Sequence, residues 1–453
     1  MKPLAIDLFC GAGGMSEGIL QAGFHIIYSS DINGDVKKTY LNRHEQLGLY
    51  HGVNTYYEQA DIRELPSSKI MESIAGIEIF SGGEVPTIDA IFGGPPCQGF
   101  SRAGLRRKDD PRNTLFKEYL RIVNDIRPRY VVMENVVGFN DTKLDGYVGV
   151  TGCKYKEGTL IPHILHEEFK KIGYNTLDHK ILDASDFGVP QKRKRVIFIA
   201  YLDGEIKPKY PEAKINEEDK VTVYEALSDL LLSDKKHSES LSDYQLASRL
   251  GRTKTLDGDT LPSNGHIYNH EFASHSAAIK ERFSLFNEGE TCSMVKNRIK
   301  ETGINLITYP ALLNYCVKKL NGKYNHQTLI DKFLVGDVDE DLLSLLLTKK
   351  NNRFKLCKHK PSPTVVTLPD DYLVPIENRI PTVREMARLQ SFDDSFIFLG
   401  KRTTGGERRK HEVPQYTQVG NAVPPLLAKA IAEEIFIALK KPCRKDNKLV
   451  RSI

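Results

Sequence analysis

The chain has 453 residues, 40% of them hydrophobic and 27% charged, a net charge of +5 and a mean hydropathy of −0.38. This balance excludes a disordered or membrane-embedded chain, and the length allows two or three domains with an ample core. No run approaches the roughly 18 apolar residues of a membrane span.

The amino terminus, MKPLAIDLFCGAGG, places Asp7 inside its short apolar run and passes directly into a glycine turn, so it does not read as a secretory signal. A cytoplasmic protein is predicted. The seven cysteines, Cys10, Cys97, Cys153, Cys292, Cys316, Cys357 and Cys443, are scattered with no CxxC pair. That spacing argues against a disulfide framework or a zinc site and predicts reduced thiols and no metal. The modest positive charge permits a polyanionic partner without demanding one.

In chain order, KPLAIDLF and CGAGGMSEG predict a strand, a glycine turn and a helix start, the opening of a nucleotide-type α/β fold. Gly11, Gly13 and Gly14 let the backbone lie against a ligand, and Ser16 or Glu17 suits the first helical turn. The next strand, HIIYSSD, ends in Asp31, about 20 positions beyond the glycines, where a carboxylate can grip ribose hydroxyls. TYYEQAD ends in Asp61, which can accept a hydrogen bond from an adenine amino group. A solvated strand-end carboxylate is the alternative for each. The glycines alone do not choose between a dinucleotide, which needs its pyrophosphate held at the helix amino terminus, and S-adenosylmethionine, which has no phosphate.

TIDAIF reads as a buried strand and runs into GGPPCQGFS, so Cys97 follows a strand's carboxyl end, where open α/β sheets place their ligands. Pro95 and Pro96 stiffen the loop, while Gly93, Gly94 and Gly99 permit its turns. A small buried cysteine is the ordinary alternative for a thiol considered alone. The next segment gathers Arg102, Arg106, Arg107, Lys108 and Arg112 around Gly104. It reads either as a charged surface loop or as a hinged lid that closes on a phosphate backbone.

LFKEYLRIVNDIRPRY predicts an amphipathic helix, and YVVMENV a buried strand with Glu134 at its carboxyl end, costly unless partnered. HILHEEFKKIGY predicts another helix, and KILDASDFGVPQKRKRVIFIAYL two strands joined through Gly188 and Pro190. Extended backbone puts Gln191, Arg193 and Arg195 on one face and Lys192 and Lys194 on the other. Arg195 is expected at the buried end, near the site.

Composition changes near residue 203. From Asp203 to about Lys360 apolar periodicity weakens; acidic residues dominate up to 290 and basic ones from 291 to 360. A second, differently built domain is predicted there. Pattern returns at KPSPTVVTLPDDYLVP and at RIPTVREMARLQSF, where Pro381 and Thr382 start a helix carrying Arg384 and Glu385. After the basic stretch KRTTGGERRKH, Pro424 and Pro425 open a helix striped by Leu427, Ile431, Ile435 and Leu439, expected to dock back on the first sheet.

A cysteine, a carboxyl group and two arginines beside an adenosine-type pocket permit a particular chemistry. A thiolate can add to a double bond conjugated to a ring nitrogen if that nitrogen is hydrogen bonded or protonated as attack proceeds, which Glu134 can provide. The adjacent carbon then becomes nucleophilic toward a sulfonium methyl group. Arg195 can hold a ring carbonyl oxygen as negative charge develops.

With these blocks in place, the chain resembles the DNA cytosine C5-methyltransferases of restriction-modification type. The family's ordered motifs stand here as DLFCGAGGMSEG, GGPPCQGFS, ENV, QKRKR, TVREMARLQSF and QVGNAVPP. The resemblance implies that Cys97 attacks cytosine C6, Glu134 contacts N3 and the amino group, and Arg195 holds O2 with Arg193 in support. It implies further that Phe9, Gly11, Gly14, Asp31, Ile32, Asp61, Ile62, Pro95, Leu115 and Asn421 surround S-adenosylmethionine, leaving S-adenosylhomocysteine as product. The implied fold is α/β, with a mostly parallel, Rossmann-like sheet in residues 1–202 completed by 412–453. A smaller mixed target-recognition domain is expected over 203–411.

The implied partner is double-stranded DNA, bound by a monomer that works beside a cognate restriction endonuclease. Because a base inside a duplex cannot reach a recessed thiol, the cytosine must swing out, and contacts to phosphates and neighbouring bases must offset that cost. Arg102, Arg106, Arg107 and Lys108 in the lid, the basic region from 291 to 360, and KRTTGGERRK are the expected phosphate contacts. Thr364 and Thr367, in TVVTL, match the threonine-containing stretch beside the family's recognition loops. The related RNA-directed branch lacks the glycine after PPCQ and carries a Cys-Phe-Thr signature; neither feature occurs here. A catalytically dead DNA-binding homologue is expected to lose Cys97 or Glu134, and a nicotinamide dehydrogenase leaves PPCQ, ENV and QKRKR unexplained.

Overall fold

The computed structural model describes residues 2–81, 85–96, 115–213, 215–232 and 240–442. Its first part alternates strand and helix: β1 (Leu4–Leu8), α1 (Gly14–Gln21), β2 (His25–Asp31), α2 (Gly34–Gln46), β3 (Tyr56–Gln59), α3 (Ser67–Ala75), β4 (Ala90–Gly93), α4 (Leu115–Ile126) and β5 (Tyr130–Val136). A small hairpin of β6 (Lys143–Leu144) and β7 (Thr159–Leu160) leads into α5 (Ile161–Lys171), β8 (Tyr174–Thr176), β9 (Lys180–Asp183) and β10 (Lys194–Leu202).

The main sheet has the order β3-β2-β1-β4-β5-β10-β8, with β9 also paired to β10. The five strands from β3 to β5 are parallel; β10 runs antiparallel to β5, β8 and β9. Strand order reverses between β1 and β4, so the crevice for a ligand opens outside their carboxyl ends.

Period-two alternation divides the apolar residues between the two faces of the sheet. Leu4, Ile6 and Leu8 join the core formed with α3, α4 and α5, whereas Ala5 joins the core under α1. The terminal helix α15 reaches that same face through close backbone contact. A Cβ on Gly18 of α1 would lie 2.5 Å from the carbonyl oxygen of Pro425, and one on Gly14 would lie 2.4 Å from that of Val423. The predicted return of the last helix to the first sheet is therefore present, with glycines at i and i+4 making the approach possible.

The remaining elements are α6 (Val223–Leu227), α7 (Asp243–Leu250), α8 (Ala277–Ser284), α9 (Cys292–Thr302), α10 (Pro310–Lys319), α11 (His326–Leu334), α12 (Glu340–Leu346), β11 (Phe354–Lys355), β12 (Tyr372–Leu373), α13 (Val383–Leu389), α14 (Gln415–Asn421) and α15 (Pro425–Lys440). Helices α8 to α12 enclose a core of their own, including Phe283, Val295, Leu312, Phe333 and Leu343. Weak apolar periodicity here reflects short helices rather than missing ones. Their starts are fixed locally: Thr291, Asn325 and Asp339 cap α9, α11 and α12 through side-chain oxygens.

A further cluster joins α6, α7, α13 and α14 to Ala12 of the glycine turn. As the TVREMARLQSF pattern suggests, Thr382 and Glu385 form a reciprocal capping box at the start of α13. Among the described residues, Cys10, Cys153, Cys292, Cys316 and Cys357 are free thiols, and no helix is long and apolar enough to cross a membrane.

Candidate active site

The chain leaves β1 through left-handed backbone at Phe9 (φ 59°), Gly11 (φ 54°) and Gly13 (φ 101°). A side chain on Gly13 would press on the Tyr40 ring at 3.2 Å, whereas the space around Gly11 is open. Asp31, closing β2, braces the turn: its carboxylate accepts hydrogen bonds from the Gly11 N–H at 3.0 Å and the Asn33 N–H at 2.9 Å. Burial pushes its carboxyl above the usual carboxylate range, against the pull of these donors. The next residue, Ile32, is 61% exposed, an apolar surface at the crevice with no core to serve.

Asp61 caps a short 3₁₀ turn, Ile62–Glu64, and its carboxylate is gripped by the Arg63 guanidinium, including a contact of 2.9 Å from Nε. These hydrogen bonds hold its carboxyl below the usual range. Ile62 and Leu115 are buried at the edge of the sheet core, and Phe9 packs against the same cluster.

A second group of residues lies at the ends of β5 and β10. Arg195 pairs with Val136 and Glu134 with Ile197 across the antiparallel ladder, so Glu134 and Arg195 are diagonal neighbours on one face. Arg195 and Glu134 form an ion pair, with Arg195 Nε 2.7 Å from Glu134 Oε1. Gly94 leaves room for this pair, since a Cβ there would lie 3.1 Å from Glu134 Oε2. Asn135 donates to the carbonyl of Pro95 at 2.9 Å, tying the start of the PPC loop to the strand that bears the glutamate. Cys97, together with Arg102, Arg106, Arg107 and Lys108, lies outside the described residues.

The predicted alternation from 191 to 195 is observed, with Gln191 and Arg193 buried and Lys192 and Lys194 exposed. Arg193 does not touch Glu134. It donates to the carbonyls of Val365 and Gly420, each at 3.0 Å, and Nε has no partner among the described residues. Burial, and then the neighbouring Arg195, pull its pKa down. The side chain thus spans from β10 to the TVVTL segment and to α14, where Asn421 ends the helix on an exposed position.

Two glutamines complete this clamp. Gln191 donates to the Leu389 carbonyl and to Gln390 Oε1 and accepts from the Val365 N–H; Gln390 donates to the Val419 carbonyl at 2.7 Å. QKRKR, TVREMARLQSF and QVGNAVPP are thereby joined by buried hydrogen bonds. Thr364 donates its hydroxyl to the Lys192 carbonyl at 2.8 Å. Thr367 lies where the chain packs on Gly420, whose hypothetical Cβ would approach the Thr367 nitrogen to 2.8 Å. In the basic stretch before α14, Lys401 pairs with Glu412 at 2.7 Å and Arg402 donates to the Glu271 carbonyl at 3.1 Å.

The clamp residues Asn135, Gln390 and, in this role, Gln191 were not singled out from sequence. Asp7 and Ser16 form a further buried group behind the glycine turn, with Ser16 Oγ donating to Asp7 Oδ2 at 2.5 Å.

A mostly parallel sheet of this order, with helices on both faces and its strand order reversing between β1 and β4, has the fold of S-adenosylmethionine-dependent methyltransferases. The chain superposes, with a TM-score of 0.60 and 22% identity, on the crystal structure of a protein described as a DNA modification methyltransferase encoded within a prophage of E. coli, covering 97% of this chain and 100% of that one. Residues 4–437 match the family described as C-5 cytosine-specific DNA methylase, and the chain belongs to that family of enzymes. It is 32% identical over 437 residues to the type II methyltransferase M.DdeI of Desulfomicrobium norvegicum, spanning 95% of this chain and 88% of the relative. To the type II methyltransferase M1.HphI of Haemophilus parahaemolyticus it is 31% identical, with coverages of 95% and 86%.

Proposed function

We propose that the protein methylates C5 of a cytosine flipped out of a specific double-stranded DNA sequence, by way of a covalent bond between Cys97 and C6 of the base. The observation that carries this reading is the Glu134–Arg195 pair at 2.7 Å, tied through Asn135 to Pro95 two residues before the cysteine.

In this mechanism the Cys97 thiolate adds to C6 while Glu134, positioned by Arg195, hydrogen bonds to N3 and the amino group. Electron density moves to C5, and Arg195 steadies O2 as it becomes more negative. S-adenosylmethionine supplies an electrophilic methyl group when bound. After transfer, C5 loses its proton to a base and the C6–sulfur bond breaks, restoring the thiolate and leaving 5-methylcytosine.

Features on the glycine-turn side fit that cofactor. Open space at Gly11, the half-buried acid Asp31, exposed apolar Ile32 and the buried Oδ1 of Asp7, unpartnered among the described residues, suit a cationic ligand with a ribose and an adenine ring. Phe9, Gly14, Asp61, Ile62, Pro95, Leu115 and Asn421 complete the pocket in this reading. Arg193 is assigned to hold the catalytic strand against TVVTL, rather than to touch the base.

Residues 1–202 with 412–453 form the catalytic part and 203–411 the target-recognition part. The separate core of α8 to α12 supports a lobe of its own, while α13 packs in the cluster that contains Ala12. Arg102, Arg106, Arg107, Lys108, Thr364 and Thr367 are assigned to the DNA side. The protein acts as a cytoplasmic monomer, in company with a cognate restriction endonuclease that its methylation blocks.

Bisulfite sequencing of DNA from cells expressing the chain tests the reaction and reads the target at once. Protected cytosines at one recurrent sequence, absent with Cys97→Ser, are expected. Unprotected DNA, or equal protection with the variant, contradicts the proposal.

A further inference from the structure

Behind the glycine turn lies a carboxyl group that the proposed reaction does not use. Asp7 is 1% exposed; one carboxyl oxygen meets Ser16 Oγ, and the other is buried with no partner among the described residues. Ser16 Oγ is 3.0 Å from Tyr40 Oη, which is 2.5 Å from Ser29 Oγ. Each hydroxyl in this chain can both donate and accept. With Asp7 protonated, donation runs from Asp7 through Ser16 and Tyr40 to Ser29; with Asp7 ionised, it runs the other way. The network therefore accommodates both states of the acid without moving a heavy atom.

Among the described residues its surroundings contain no counter-charge. The titratable groups facing this region are Asp31 on β2, Cys10 in the turn, Tyr40 on α2 and Tyr119 on α4. Glu17, the next acid on α1, is already paired with Arg43 at 2.8 Å. Burial, opposed by the Ser16 hydrogen bond and reinforced by Asp31, pushes the Asp7 carboxyl up to about 7.

We propose that Asp7 is a positioning residue that acts as the buried counter-charge of the cofactor pocket, giving up its proton when a sulfonium ligand settles on the Gly11–Gly14 turn. This rests on the cofactor reading above and adds a proton linkage to it. A nearby positive charge favours the ionised acid, and by reciprocity the ionised acid favours the cation. Affinity is then constant at pH above the free protein's value and falls as pH drops through it, levelling off only below the lower value of the bound state.

Calorimetric titration with S-adenosylmethionine across about pH 5.5 to 8.5 tests this; for each unit of downward shift on binding, the dissociation constant should weaken about tenfold at the acid end. Asp7→Asn should bind weakly throughout and lose this component, the cofactor's own amine titrating alike in both proteins. Ser16→Ala keeps the carboxyl but removes the hydrogen bond that favours its ionised form, so the inflection should move to higher pH; it also preserves the test should Asp7→Asn fail to fold by circular dichroism. A wild-type profile that is flat, or one that Asp7→Asn reproduces, overturns the linkage while leaving the cofactor assignment intact. Folded wild-type protein that binds no S-adenosylmethionine at any pH overturns the cofactor reading and the linkage with it.

Discussion

The glycine-turn side of the crevice carries acids without an ion pair among the described residues, whereas the β5–β10 side carries one cation more than its carboxylate matches. Around the turn, Asp7 is a buried acid and Asp31 a half-buried one, neither has an ion pair among the described residues, and desolvation raises both. Across β4, Arg193 is a buried cation held by two carbonyls, and Arg195 is paired with Glu134. A buried charge left without a full partner is costly unless a ligand supplies one. The acidic side favours a cation, as a sulfonium cofactor requires, and the arginine side favours an oxygen gaining negative charge. Methyl transfer brings those two kinds of group together, so the asymmetry of the crevice follows the direction of the reaction.

Breaking the arginine side should have the larger effect. Glu134→Gln keeps the shape but cannot supply a proton or a carboxylate, and should slow methylation by about 10² to 10⁴ while DNA affinity in a gel-shift assay is retained. A loss smaller than about tenfold would remove Glu134 from the chemistry, outside the range expected of a general acid.

The acidic side should show itself in stability. Asp7 has an ordinary value of 3.8 and a folded value of about 7, so between these the native state holds a proton that the unfolded chain has lost. Its contribution to folding is therefore increasingly unfavourable as pH rises from about 4 to about 7, and constant beyond. Asp7→Asn should raise the thermal midpoint relative to wild type at pH above 7 more than at acid pH. An equal shift at both would mean that Asp7 is already ionised throughout.

Much of this arrangement was legible in the sequence because its signals are local. The strand-turn-helix of DLFCGAGGMSEG, the glutamate ending YVVMENV and the alternating faces of QKRKR each follow from a few adjacent residues. The clamp was not legible, because Gln191 meets Gln390, and Arg193 meets Gly420, only after the chain has folded back across some two hundred residues. Asp7 was noted only as a charge that interrupts an apolar run. Its significance depends on Tyr40 and Ser29, which α2 and β2 bring behind the turn. Helices α8 to α12 were missed for a different reason: each buries a narrow face of a few residues and relies on capping residues and mutual packing with the others.

The central claim is that a sulfur–carbon bond forms on the way to 5-methylcytosine. Incubating the protein and S-adenosylmethionine with a duplex carrying 5-fluorocytosine at the target position tests it directly, because fluorine cannot leave C5 as a proton does. The account predicts a denaturation-resistant protein–DNA adduct that maps to Cys97 and is absent with Cys97→Ser. Efficient methylation of the ordinary duplex with no adduct on the fluorinated one would contradict it.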